Sequence, residues 1–99
     1  MTRSLRASLS RRREIEAAVG AYEQANPLAP LPRNAPRLLH VMFPVEDMCL
    51  LSLDDLAADG FDRPSLPTLL QRLVFAGLLT RHRVAVAPHV YRLRLRRQP

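Results

Sequence analysis

The sequence predicts an α+β domain, mostly helical, closed by a β-hairpin near its C-terminus. Three observations lead there. Apolar residues recur at helical spacing through most of the chain, residues 91–96 alternate strictly, and Gly60 and Gly77 follow the two clearest helical stretches. Ninety-nine residues supply one modest core and not two.

Thr2 to Asn26 reads as a polar amphipathic helix, with Leu5, Leu9, Ile15, Val19 and Tyr22 on roughly one stripe. Arg11-Arg12-Arg13 interrupts that stripe and is expected on a solvated helix face. Ser10 offers an internal start, which would leave the preceding residues frayed. Pro27 to Pro36 holds four prolines in ten residues and is expected as an extended connector, since proline lacks an N–H and disfavours helix before it. Arg37 to Phe43 is a short apolar helix stopped by Pro44, and Met48 to Leu51 a brief strand. The chain thus divides into an N-terminal helix over 1–26, which could serve as a dimerisation arm, a connector over 27–36 and a domain over 37–99.

Ser52 opens the clearest local signal. Its hydroxyl can cap a helix whose first turn carries Asp54 and Asp55, with Asp55 completing a loose capping box and Gly60 a left-handed stop. Leu53, Leu56 and Ala57 form its buried face. A second helix runs from Pro64 or Leu66 to Ala76, with Leu66, Leu70 and Leu73 at core spacing and Gly77 beyond its end. Two strands follow, Arg81 to Val86 and Val90 to Arg96, with Ala87-Pro88-His89 as the loop. Tyr91, Leu93 and Leu95 share one face of the last strand, and Arg92, Arg94 and Arg96 the other.

Charge is unevenly spread along this framework. All 15 basic residues are arginine, set against nine acidic ones for a net +6. Residues 63–99 hold eight arginines and no acid, whereas residues 26–62 hold two arginines against six acids. A concentrated positive field on one structural unit suits a polyanion. The single cysteine, Cys49, excludes an internal disulfide, fits a reducing cytoplasm and is expected to be an inert buried thiol. No run approaches the length of a membrane span, and the N-terminal residues lack the apolar core of a signal peptide, so a cytoplasmic protein is expected.

The stretch from Leu53 to Leu95 resembles the winged helix-turn-helix of bacterial transcription regulators of the MarR and ArsR type. Leu53, Leu56 and Ala57 match the first helix of that motif, and Asp62-Arg63-Pro64-Ser65-Leu66 the start of its recognition helix. Ala76-Gly77-Leu78-Leu79 matches its exit, Arg81 the base of the wing, and Tyr91-Arg92-Leu93 the return strand. The resemblance implies a recognition helix in the major groove of duplex DNA and a wing on the flanking backbone. Carried over by position, the DNA-binding candidates are Arg63, Ser65, Thr68, Gln71, Arg72, Arg81, Arg83, Arg92 and Arg94, with His89 beside them on the wing. Pro67 and Leu69 fall where polar base readers ordinarily stand, which weakens direct readout. With Val74 and Phe75, the helix is apolar nearly all round, so either the N-terminal helix or another subunit is expected to cover it.

The leading expectation is therefore a small DNA-binding transcriptional regulator acting as a homodimer. Leu5, Leu9, Ile15, Val19, Tyr22, Val74 and Phe75 form its dimer or partner surface. The alternative is a winged-helix protein-interaction module in a larger assembly, since fold does not fix function. No catalytic activity is expected, because the sequence has no Gly-rich phosphate loop, no nucleophile–base pair at a recognisable spacing and no paired carboxylates in an apolar setting. His82, His89 and Cys49 are too few for a zinc site, and nothing calls for a cofactor.

Overall fold

Helix α1 spans Leu9–Ala25 in the computed structural model, which describes residues 9–84 and 86–96, with the backbone alone at 87–89. The expected start at Thr2, and Leu5 with it, lie outside the described residues. Ile15 and Val19 are one helical repeat apart and both enter the core, with Tyr22 continuing the stripe half-buried. Arg11 lies four residues before Ile15 and so faces the same way. It is 7% exposed, against the solvated position expected of the arginine cluster, while Arg12 and Arg13 do face solvent. Its burial is compensated: Arg11 Nη1 donates to Asp47 Oδ1 at 2.7 Å, and Nη2 to the Val45 carbonyl at 2.6 Å.

The proline-rich segment is pinned rather than free. Proline removes N–H donors and leaves carbonyl acceptors, so such a segment is readily held from outside. Leu31 is buried in the core and its N–H donates to Glu23 Oε2 at 3.1 Å. The Pro30 carbonyl accepts from Arg72 Nη2 at 2.6 Å. Helix α2 (Ala35–Met42) begins two residues before the expected Arg37, because Pro36 sits in the first turn where its missing N–H has no helical partner to lose. Ala35, Leu38, Leu39 and Met42 form its buried face.

Strand β1 (Met48–Ser52) leads directly into α3 (Leu53–Ala58). The capping box is present: Ser52 Oγ accepts from the Asp55 N–H, and Asp55 Oδ2 from the Ser52 N–H. α3 and α4 (Leu66–Phe75) end in the same motif. Gly60 at φ 96 and Gly77 at φ 75 take the left-handed position, with Phe61 donating to the Leu56 carbonyl and Leu78 to that of Leu73. In each case the two bonded residues are also buried against the core. A single 3₁₀ turn, Arg63–Ser65, leads into α4.

β2 (Leu79–Val84) and β3 (Ala87–Leu95) complete an antiparallel sheet in the order β1-β3-β2. The hairpin turns between Val84 and Ala87, not at the expected Ala87-Pro88-His89. The register shifts at Arg83/Val84, and β1 pairs with β3 no further than Val90. Pro88 therefore lies in a bulged length of β3 beyond β1, where a missing N–H is tolerated. Leu93 and Leu95 are buried and Tyr91 half-buried, while Arg92, Arg94 and Arg96 are exposed, as the alternation predicts. Among the described residues the architecture is α+β, with four α-helices and a three-stranded sheet in an order compatible with a winged-helix-like layout. One core cluster includes residues from α1, the connector, all later helices and the sheet.

Candidate nucleic-acid interface

α4 divides sharply into two sides. Leu66, Leu69, Leu70 and Leu73 are buried, and Pro67, Thr68 and Arg72 are exposed, with Gln71 half-buried. Leu69 is 5% exposed and so cannot face a groove, contrary to its position in the resemblance. The connector covers this flank: Pro32 and Asn34 line a groove with Ser65, Thr68, Leu69 and Arg72, beside the Arg72–Pro30 hydrogen bond. Neither the N-terminal helix nor a second subunit is needed there.

On its other flank α4 meets the inner face of the sheet. Arg81 Nη2 donates to Gln71 Oε1 at 2.8 Å. The Arg81 and Arg83 guanidinium carbons lie 5.6 and 5.9 Å from the centre of the Tyr91 ring, close enough for cation–π attraction. The resulting open cleft is lined by Pro67, Thr68, Gln71, Arg72, Phe75, Arg81 and Tyr91. Among the described residues this lining holds two guanidinium groups and no carboxylate. Tyr91 and Phe75 enter the cleft although the sequence pattern assigned them to the core face and a partner surface; only the fold places β3 opposite α4.

The expected DNA-binding residues are thus divided. Thr68, Gln71, Arg72 and Arg81 come together, with Arg83 adjacent across Tyr91. Arg63 and Ser65 stand at the start of α4 beside carboxylates: Arg63 Nε donates to Asp54 Oδ1 at 2.9 Å, and Ser65 Oγ donates to Asp62 Oδ2. The Arg63–Asp54 pair is exposed, and pairs of that kind contribute little and open readily. Arg92 and Arg94 are not with the cleft. They pair with His82 and Thr80 on β2 and with Leu50 and Met48 on β1, so they project from the opposite face of the sheet. The side chain of His89 lies outside the described residues.

The expected partner surface is narrowed in the same way. Ile15 and Val19 are in the chain's own core, and Tyr22 and Val74 are half-buried against it. Leu9 and Phe75 remain exposed, Phe75 at 82%. Cys49, on the inner face of β1, has its thiol pushed up to about 11 by burial, and a thiol held protonated is a poor nucleophile. Among the described residues no group of three or more His, Cys, Asp or Glu side chains could hold a metal, and no helix is long and apolar enough to cross a membrane. No protein-family model, curated protein or solved structure matches the chain.

Proposed function

We propose that the protein is a small duplex-DNA-binding regulator of winged helix-turn-helix type, and that the cleft between α4 and the inner face of the wing is its binding surface. The observation that carries this reading is the cleft's composition: Arg72 and Arg81 among neutral residues, with Arg83 alongside and Arg81 already oriented by Gln71 and Tyr91. A guanidinium held in place loses less freedom when it takes a phosphate, and each phosphate neutralised releases counterions. Three such arginines correspond to a log–log salt slope of roughly −2.7 on duplex DNA.

The same geometry argues for low sequence discrimination. A glutamine reads adenine with its amide oxygen and nitrogen together, and the Gln71 oxygen is occupied by Arg81. Thr68 is left as the principal base reader on α4, with Arg72 counted among the phosphate contacts and tied by one nitrogen to the Pro30 carbonyl. Titration of a fluorescent random duplex over a salt series tests the reading. Binding that weakens along a slope near −3, with little preference among sequences, is the expected result. A slope near zero, or no binding at low salt, would remove DNA as the ligand.

The exposure of Phe75 at the rim of this cleft favours one second reading, a protein-interaction module that docks its partner there. Phe75→Ala separates the two: DNA binding tolerates the change, whereas a protein interface centred on an exposed aromatic loses most of its affinity.

A further inference from the structure

The two edges of the sheet are built differently. The free edge of β2 carries Arg81, His82 and Arg83 and ends in a bulge, the usual devices that keep a strand edge from pairing with another chain. β1 has none of these. Its sequence, Met48-Cys49-Leu50-Leu51-Ser52, contains no charge and no proline, and its pairing with β3 is unbroken along its length.

The register says which backbone groups that edge presents. The Leu95 N–H donates to the Asp47 carbonyl, so Asp47 faces β3. In an antiparallel ladder the bonding direction alternates, which turns Cys49 and Leu51 toward β3 and Met48, Leu50 and Ser52 toward the open side. The Ser52 N–H is taken by Asp55 in the helix cap. The N–H and carbonyl of Met48 and Leu50 are left facing outward. Their side chains are exposed as well, Leu50 at 61% and Met48 at 40%, with Val45 exposed just before them.

We propose that a second copy of this chain occupies that edge, its β1 antiparallel to the first and Leu50 on the two-fold axis, giving one continuous six-stranded sheet. The segment is complementary to itself in this register. Leu50 meets Leu50, exchanging two backbone hydrogen bonds, Met48 meets Ser52, and Cys49 meets Leu51, so no like charges stand opposite one another. The Ser52 N–H is held by the Asp55 side chain and its carbonyl by the first turn of α3, so the backbone bonds across the seam are those of the Leu50 pair. Arg92 and Arg94, on β3, are separated from their copies by both β1 strands, about 14 Å at ordinary strand spacing, beyond a Debye length at physiological salt. Pairing consumes the unprotected edge and leaves only the blunted β2 edges outside, so assembly closes at two. Five-residue strands make a small interface, and a weak, concentration-dependent dimer follows.

Sedimentation velocity without nucleic acid, over a protein concentration series, tests this on the wild type, Leu50→Lys and Phe75→Lys. The wild type and Phe75→Lys move from monomer to dimer with rising concentration. Leu50→Lys sets two ammonium groups opposite each other and weakens association roughly tenfold or more. Its exposed position keeps the monomer folded, which far-ultraviolet circular dichroism verifies. Hydrogen exchange supplies an independent readout: the Leu50 amide slows as the wild type dimerises, and amides on β2 do not. A wild type that stays monomeric at every concentration, an assembly larger than a dimer, or a dimer lost in Phe75→Lys and kept in Leu50→Lys would overturn the proposal.

Discussion

Gln71 on α4 accepts a hydrogen bond from Arg81 on β2 at 2.8 Å, and this contact ties the exposed side of the helix to the β2–β3 hairpin. It fixes where the Arg81 guanidinium points, over Tyr91 and into the cleft. Gln71→Ala removes the acceptor without emptying the core, since Gln71 is half-buried. The expected loss is about 1 kcal/mol of stability, read from urea denaturation. Affinity for duplex DNA falls as well, because Arg81 must then be ordered on binding. Unchanged affinity would mean that the orientation of Arg81 is immaterial.

Features such as the helix caps were legible in the sequence because their chemistry is local. Ser52 and Asp55 are three residues apart, and Gly60 and Gly77 each act on the turn just before them. The alternation of Tyr91, Leu93 and Leu95 with the arginines likewise needs no knowledge of the fold. What was not legible depends on partners far along the chain. Arg11 reaches Asp47 across 36 residues, and Arg72 reaches Pro30 across 42. Arg11 did carry a signal, since it stands in helical phase with Ile15 and Val19, but a guanidinium at that position reads as solvated until its acceptor is known. The split of the hairpin arginines between two faces was implicit in strand alternation; which face meets α4 was not.

That split makes a direct prediction. Arg83, on the cleft side, and Arg94, on the far side, are both exposed arginines of the β2–β3 hairpin. Arg83→Ala should flatten the salt slope of DNA binding by about 0.9, the contribution of one phosphate. Arg94→Ala should leave it nearly unchanged. Equal effects would place both faces of the sheet on the nucleic acid and displace the cleft from its proposed role.

Arg11 and Asp47 should respond unequally to mutation. The Arg11 side chain is 8% exposed and that of Asp47 is 33% exposed. Asp47→Ala leaves a nearly buried guanidinium held by the Val45 carbonyl and by Glu14 at 3.7 Å, and about 3 kcal/mol is the expected cost. Arg11→Met keeps most of the apolar stem and leaves a carboxylate that water can reach, so about 1 kcal/mol is expected. Thermal or urea melts of the two variants decide it. A larger loss in Arg11→Met would show that the pair's energy lies in the packing of the arginine.

The capping box gives a third stability test. Ser52→Ala removes the acceptor for the Asp55 N–H and should cost about 1 kcal/mol. Ser52→Asp restores an acceptor and adds negative charge at the start of α3, so it should recover most of that loss. Failure of the aspartate to rescue would mean that the hydroxyl acts through packing rather than through the cap.

Cys49 sets the alkaline behaviour. Its thiol is raised to about 11 from an ordinary 9.0 because burial disfavours the thiolate. At about pH 8 this lowers the thiolate population roughly a hundredfold, so iodoacetamide should label the native protein at least that much more slowly than the urea-unfolded chain. The sign of the linked stability follows. Below pH 9 the thiol is protonated in both states and its contribution is intact; between 9 and 11 the unfolded chain ionises while the folded one does not, and stability is lost as pH rises. Every other group is common to the wild type and Cys49→Ser and cancels in the difference between them. The wild type should therefore lose more stability than Cys49→Ser across that interval. Equal losses, or rapid labelling of the native thiol, would show that β1 opens toward solvent on its inner face and that Cys49 is not held in the apolar layer beneath the sheet.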